Sequence, residues 1–235
     1  MTCILDIHER SPLRVLDRHI HGGLGRGNLG VVCAGAGAGK TAFLVGLALD
    51  VLLRGCKALH VALDQPVDRV RNYYDEILAE LVRRENLESP SEARLRVERN
   101  RRIHTYQEHT FTVEALSRTL SHLRAHTDVH PDLIVVDGYD WSSGSEAEIA
   151  ALKELAGAEE AVLWMAATID RDAPVTHPLG YPEPVARFES LCDVLLRLKG
   201  ERGTVHLSLL KGPGGVETGS VGLDLDPATL LLVRS

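Results

Sequence analysis

The stretch CAGAGAGKTAF, residues 33–43, decides how the rest of this sequence is read. It sets small residues in front of a single lysine and then begins an apolar run. Glycine loses more backbone freedom on folding than any other residue, so a cluster of it needs a compensating contact. The flanks suggest which contact. LGVVCA, residues 29–34, reads as a buried strand, and TAFLVGLALDVLL, residues 41–53, reads as a helix that is apolar nearly all round and therefore buried. A small-residue loop between a strand and a helix N-terminus lets main-chain N–H groups converge on phosphate oxygens with no Cβ in the way.

The string AGAGAGKT, residues 34–41, fits the P-loop spacing, with Ala34 at the first glycine position. The predicted nucleotide-binding residues are Ala34, Gly35, Ala36, Gly37, Ala38, Gly39, Lys40, Thr41 and Ala42, and the implied ligands are ATP and Mg2+. Lys40 reaches the outer phosphates, and the Thr41 hydroxyl ligates magnesium. Such a loop needs a carboxylate from the end of a neighbouring buried strand to order the hydrated ion. LIVVD, residues 133–137, supplies Asp137 for that role. ALHVALD, residues 58–64, is a further strand lying between the two motifs in sequence, and it ends in Asp64. A general base must lie within hydrogen-bond reach of the water it activates, which makes Asp64 the candidate base and Gln65 a water-orienting neighbour. A plain turn-capping role for Asp64 stays open.

Working outward, strands and helices alternate. VDRVRNYYDEILAELVRR has apolar spacings of three and four and predicts a helix over 67–84; residues 85–102 mix Glu with many Arg and read as a solvated helix or loop. RIHTY is a short strand, VEALSRTLSHLRAH and EAEIAALKELAGAEE are helices, and AVLWMAATID, residues 161–170, is a strand. This alternation predicts an α/β fold with a central, mostly parallel sheet covered on both faces. After Arg187 short strands divided by Gly-rich turns predict C-terminal antiparallel hairpins. With no repeat and no linker, residues 1–235 are expected to form a single domain.

Composition narrows the function classes. The net charge of −7 gives no global pull toward nucleic acid, and no run reaches the roughly 18 consecutive apolar residues of a membrane span. The N-terminus lacks the basic start and apolar stretch of a signal peptide, so cytoplasmic residence is the expectation. Cys3, Cys33, Cys56 and Cys192 show no CxxC spacing and read as reduced, buried thiols.

These residues resemble the RecA-like ATPases, especially the group containing KaiC, RadA and the core of the DnaB-type replicative helicases. The resemblance is carried by the opening SPLRVLDRHIHGGLGRGNLGVVCAGAGAGKTAFLVGLAL, with Gly22, Gly23, Leu24 and Gly27 at its turn, and continues through VALDQP, LIVVDGYD and RFESLCDVLLRL. It ends in LSLLKGPGGVETGSVGLDLDPATLLLV. It implies a RecA-like P-loop NTPase that hydrolyses ATP between subunits of a homo-oligomer, a hexamer in many relatives. Lys211 matches a lysine that in relatives reaches the neighbouring subunit's ATP, and this gives it a catalytic role by resemblance; Pro213 stands where those relatives have arginine. Asp64 stands where they commonly have Glu, which predicts slow turnover, and Thr168 lies near their polar sensor position. Neither a primase-interacting domain nor a second ATPase domain is expected from these residues.

Three outputs stay open on the residues alone: an ATPase that drives conformational change in an oligomer or partner complex, a nucleotide-binding regulatory protein with weak catalysis, and a DNA-handling motor or recombination mediator. The protein partner is unknown. His122 and His126 share a helical face near His130 but lack a convincing further metal ligand, and Trp141 and Trp164 read as packing residues, although DGYDWSSGS, residues 137–145, looks exposed.

Overall fold

The computed structural model describes residues 10–107, 110–127, 129–170, 177–216 and 218–235. The buried runs form β1 (Leu29–Ala34), β2 (Ala58–Leu63), β3 (Arg101–Tyr106), β4 (Leu133–Asp137) and β5 (Val162–Thr168). β6 (Val194–Glu201), β7 (Thr204–Lys211), β8 (Gly219–Leu225) and β9 (Leu232–Arg234) follow. Among the described residues six α-helices accompany them: α1 (Leu13–His19), α2 (Lys40–Leu53), α3 (Val67–Glu85), α4 (Pro90–Asn100), α5 (Val113–His126) and α6 (Glu146–Ala158).

The strands form one sheet in the order β3-β2-β4-β5-β1-β6-β7-β8-β9. Pairing is parallel from β3 through to β6 and antiparallel from β6 to β9. The mostly parallel sheet and the C-terminal hairpins are therefore as expected. A parallel sheet must be covered on both faces, which explains why β1, β2 and β4 are buried at every position instead of alternating. On one face Val32, Ala62, Val135 and Trp164 join a cluster with Phe43, Leu44 and Leu49 of α2 and Tyr74 and Ile77 of α3. On the other, Val31, Cys33, Val61, Val136 and Met165 pack with Leu116 and Leu120 of α5 and Ile149 and Leu152 of α6. Each fully buried aliphatic side chain contributes about 1.5–3 kcal/mol relative to exposure, so the two layers clamp β1 and β4 firmly.

The charged stretch between α3 and β3 resolves into helix α4. Pro90 opens it, where its missing N–H costs nothing, and Ala93 and Val97 are its buried contacts. No helix among the described residues is long and apolar enough to cross a membrane.

Candidate functional site

β1 stops at Ala34 and α2 starts at Lys40, so the small-residue loop spans residues 35–39 at the C-terminal end of a central strand. Gly39 caps the helix with φ +94°, and a Cβ there would also meet the Leu225 side chain at 2.2 Å. Only glycine satisfies both demands. No side chain caps α2 and its own first turn carries no acidic residue, so the positive end of the helix faces the loop without a carboxylate from its own sequence. Lys40 folds back over this loop, its Nζ donating to the carbonyls of Ala34 and Gly35 at 3.2 Å each.

Thr41 Oγ1 donates to Asp137 Oδ2 at 2.6 Å. Asp137 is only 4% exposed. The carboxylate does not come from a strand adjacent to β1, as the sequence suggests, because β5 lies between β1 and β4. Helix α2 crosses that intervening strand, packing on both β4 and β5, and its first turn thereby reaches the end of β4. The two oxygens suit magnesium, a hard cation that keeps several waters and takes one or two protein ligands alongside phosphates. Among the described residues no group of three or more His, Cys, Asp or Glu could hold a metal, so the donor set fits an ion shared with a nucleotide and not an all-protein cage. The rings of His122 and His126 lie 4.4 Å apart between centroids, tilted by 46°, without such a third ligand among the described residues.

Asp64 follows β2 directly. Ala62 is in register with Asp137, so Asp64 lies two residues beyond it on the neighbouring strand. It is exposed, has φ +57°, and its N–H donates to the Tyr106 carbonyl at 3.0 Å. Gly138 has φ +94°, and a Cβ on it would lie 2.7 Å from the Leu63 carbonyl oxygen, so the ends of β2 and β4 meet main chain to main chain. Thr168 ends β5 in register with Ala34, exposed beside the loop. Lys211 sits elsewhere: at the end of β7, its Nζ donates to the Glu189 carbonyl of its own chain.

Sequence reasoning missed a polar group directly beneath this site. His60 on β2 is fully buried, with Nδ1 3.1 Å from the Tyr74 hydroxyl and Nε2 lacking a hydrogen-bond partner among the described residues. Burial pushes its pKa from 6.5 down to about 4; the Asp137 charge opposes the shift and Arg101 adds to it. The Arg101 guanidinium stacks 4.7 Å over the Tyr74 ring and pairs with Glu98. The alternation of ALHVALD gave no cue, since a single His inside an apolar strand is indistinguishable by pattern from its neighbours.

Among the described residues the thiols form no metal-binding group. Cys33 and Cys192 are buried and pushed up to about 12 by that burial, so both stay protonated and inert. Cys56 is only half-buried, contrary to expectation, and Cys3 lies outside the described residues. The loop after β4 is likewise less exposed than it looks: Trp141 is buried with its indole N–H donating to the Ala166 carbonyl at 2.8 Å, and Tyr139 is buried beside it. Its exposed part is Gly138, Asp140, Ser142, Ser143 and Ser145.

A cavity of about 310 Å³ lies at the opposite ends of the strands from the loop, at the start of β4 and β5, but its charges are consumed among themselves: Arg14 pairs with Asp17 and Asp50, and Arg54 with Asp50. A smaller one of about 170 Å³ adjoins the loop itself, bordered by Gly35, Ala38, Ile169 and the end of β6.

A search of curated proteins finds no match to this chain. A sequence-family model described as an AAA domain matches residues 4–171, a span that takes in the loop, Asp64, Asp137 and β5. Because that match covers well over half of the chain, and the loop it contains has the geometry just described, the chain belongs to the AAA-domain family of nucleotide-binding P-loop ATPases.

Proposed function

We propose that this protein binds Mg-ATP on the loop from Ala34 to Ala42, hydrolyses it, and uses the cycle to change contacts within a homo-oligomer or with a protein partner. One observation carries the reading: Thr41 and Asp137 meet at 2.6 Å beside a helix N-terminus that no side chain caps. The loop amides and that N-terminus bind phosphate oxygens, and Lys40 exchanges the carbonyls of Ala34 and Gly35 for the outer phosphates. Thr41 and Asp137 would hold magnesium beside the phosphates, where it would supply charge withdrawal from the phosphate oxygens. Asp64 takes the proton of the attacking water; its exposed position and short side chain go with slow turnover. The continuous sheet supports reading the described residues as one RecA-like domain, and the free thiols support a cytoplasmic setting. A trans-acting role for Lys211 requires it to leave the Glu189 carbonyl when subunits assemble.

Phosphate release with Mg-ATP tests the proposal. Lys40→Ala abolishes saturable binding and release together. Asp64→Asn keeps ATP affinity and lowers release by about 100-fold or more, the scale of a general base. An Asp64→Asn protein as fast as wild type would place the base elsewhere. A regulatory protein with structural ATP is the second reading, favoured by the exposure of Asp64 and the intrachain contact of Lys211. It gives tight ATP binding without release in the wild type.

A further inference from the structure

The cavity beside the loop is bordered on its far side by Arg197, Leu198, Lys199 and Gly200 of β6. β6 pairs in parallel with β1, and Arg197 is in register with Cys33, one residue before the loop region begins at Ala34. The β6 end therefore runs alongside Gly35 on the flank of β1 opposite to β5. Arg197 is half-buried, yet among the described residues it has neither a hydrogen-bond acceptor nor a carboxylate partner. The other cation of the cavity is different: Lys199 pairs with Glu201 at 2.6 Å. Nor does Cys33 serve Arg197 as an anion. Burial keeps that thiol protonated, even though the Arg197 charge acts in the opposite direction on it. A partly desolvated guanidinium without a counter-charge is unfavourable unless an anion arrives to meet it.

We propose that Arg197 is a nucleotide-contacting residue, which reaches the polyphosphate held on the 34–42 loop from the β6 side, the flank opposite Asp137. This rests on the Mg-ATP reading above. It deepens that reading by giving the phosphates a cation from the same chain, beyond Lys40. Arginine suits the task because its planar fork donates to two phosphate oxygens at once.

The test is equilibrium binding of a fluorescent ATP analogue with Mg2+ to the full chain, and its displacement by inorganic triphosphate. Wild type, Arg197→Gln, Arg197→Lys, Lys40→Ala and Arg202→Gln are compared, Arg202 being an exposed cation in the turn of the same β6–β7 hairpin. Arg197→Gln weakens ATP and inorganic triphosphate alike by about tenfold, as expected for one charge-assisted contact. Arg197→Lys recovers part of that loss, Arg202→Gln stays within twofold of wild type, and an unchanged urea midpoint shows that folding is intact. If Arg197→Gln binds both ligands as wild type does while Lys40→Ala fails to bind, the Arg197 proposal falls and the loop reading stands. An Arg197→Gln protein that keeps ATP but loses a single-stranded oligonucleotide also overturns it, assigning the cation to nucleic-acid phosphate. Absence of saturable binding by the wild type takes down both.

Discussion

Gly138 carries the tightest backbone requirement near the carboxylates of Asp64 and Asp137. With φ +94° and a Leu63 carbonyl 2.7 Å from where a Cβ would sit, alanine meets both an unfavourable conformation and a main-chain clash that no side-chain rotation relieves. Gly138→Ala is expected to destabilise the fold by roughly 2 kcal/mol and, by separating the ends of β2 and β4, to slow phosphate release more than it weakens ATP binding. Urea unfolding alongside release kinetics checks both parts. At this scale the sequence is legible where chemistry needs an unusual residue type: a lysine after small residues, or an acid closing LIVVD. His60 and Arg197 were not legible. One hides in an apolar run, and the importance of the other comes from register with Cys33 and from lacking a partner, which only the assembled sheet reveals.

The two helices on the far face of the sheet are fastened at their first turns by hydroxyls. Thr112 Oγ1 accepts from the Ala115 N–H at 3.1 Å at the start of α5, and Ser145 Oγ accepts from the Glu148 N–H at 3.2 Å at the start of α6. Thr112→Ala and Ser145→Ala should each cost about 1 kcal/mol in urea denaturation, without altering ATP affinity, since neither helix borders the loop. Helices with a regular apolar stripe were readable from spacing, α3 to within one residue of its C-terminal end. α4 was ambiguous because it buries little beyond Ala93 and Val97, so its stripe is too narrow to stand out among charges. Strand order was not readable. Placing β5 between β1 and β4 is a consequence of crossover packing, and no local pattern encodes it.

Across the whole molecule, His60 links stability to pH. Its folded pKa of about 4 lies below the ordinary 6.5, so between these values the unfolded chain binds more protons than the folded one. The corresponding stability is fully present above pH 6.5 and is lost as the pH falls toward 4. Between pH 7 and pH 5 the loss from this group is about 2 kcal/mol. His60→Leu should show a shallower decline than wild type over that interval in urea titrations at each pH. The overall α/β plan and the loop at the end of β1 were anticipated because both rest on periodicity and small-residue spacing; the buried proton equilibrium was not, because it depends on which side chains surround one imidazole.

Trp164 lies on β5 opposite Gly30 of β1, is almost wholly buried, and meets the Phe43 ring edge-on at 5.9 Å between centroids. Phe43 sits one turn into α2, just behind Lys40 and Thr41. The chain thus has a natural fluorophore at the back of its phosphate cradle, and Trp141 is the only other indole in the sequence. Replacing Trp141 with phenylalanine would leave a single emitter whose quantum yield follows any tilt of α2. Ligand arrival could then be timed in a stopped-flow instrument without attaching a dye.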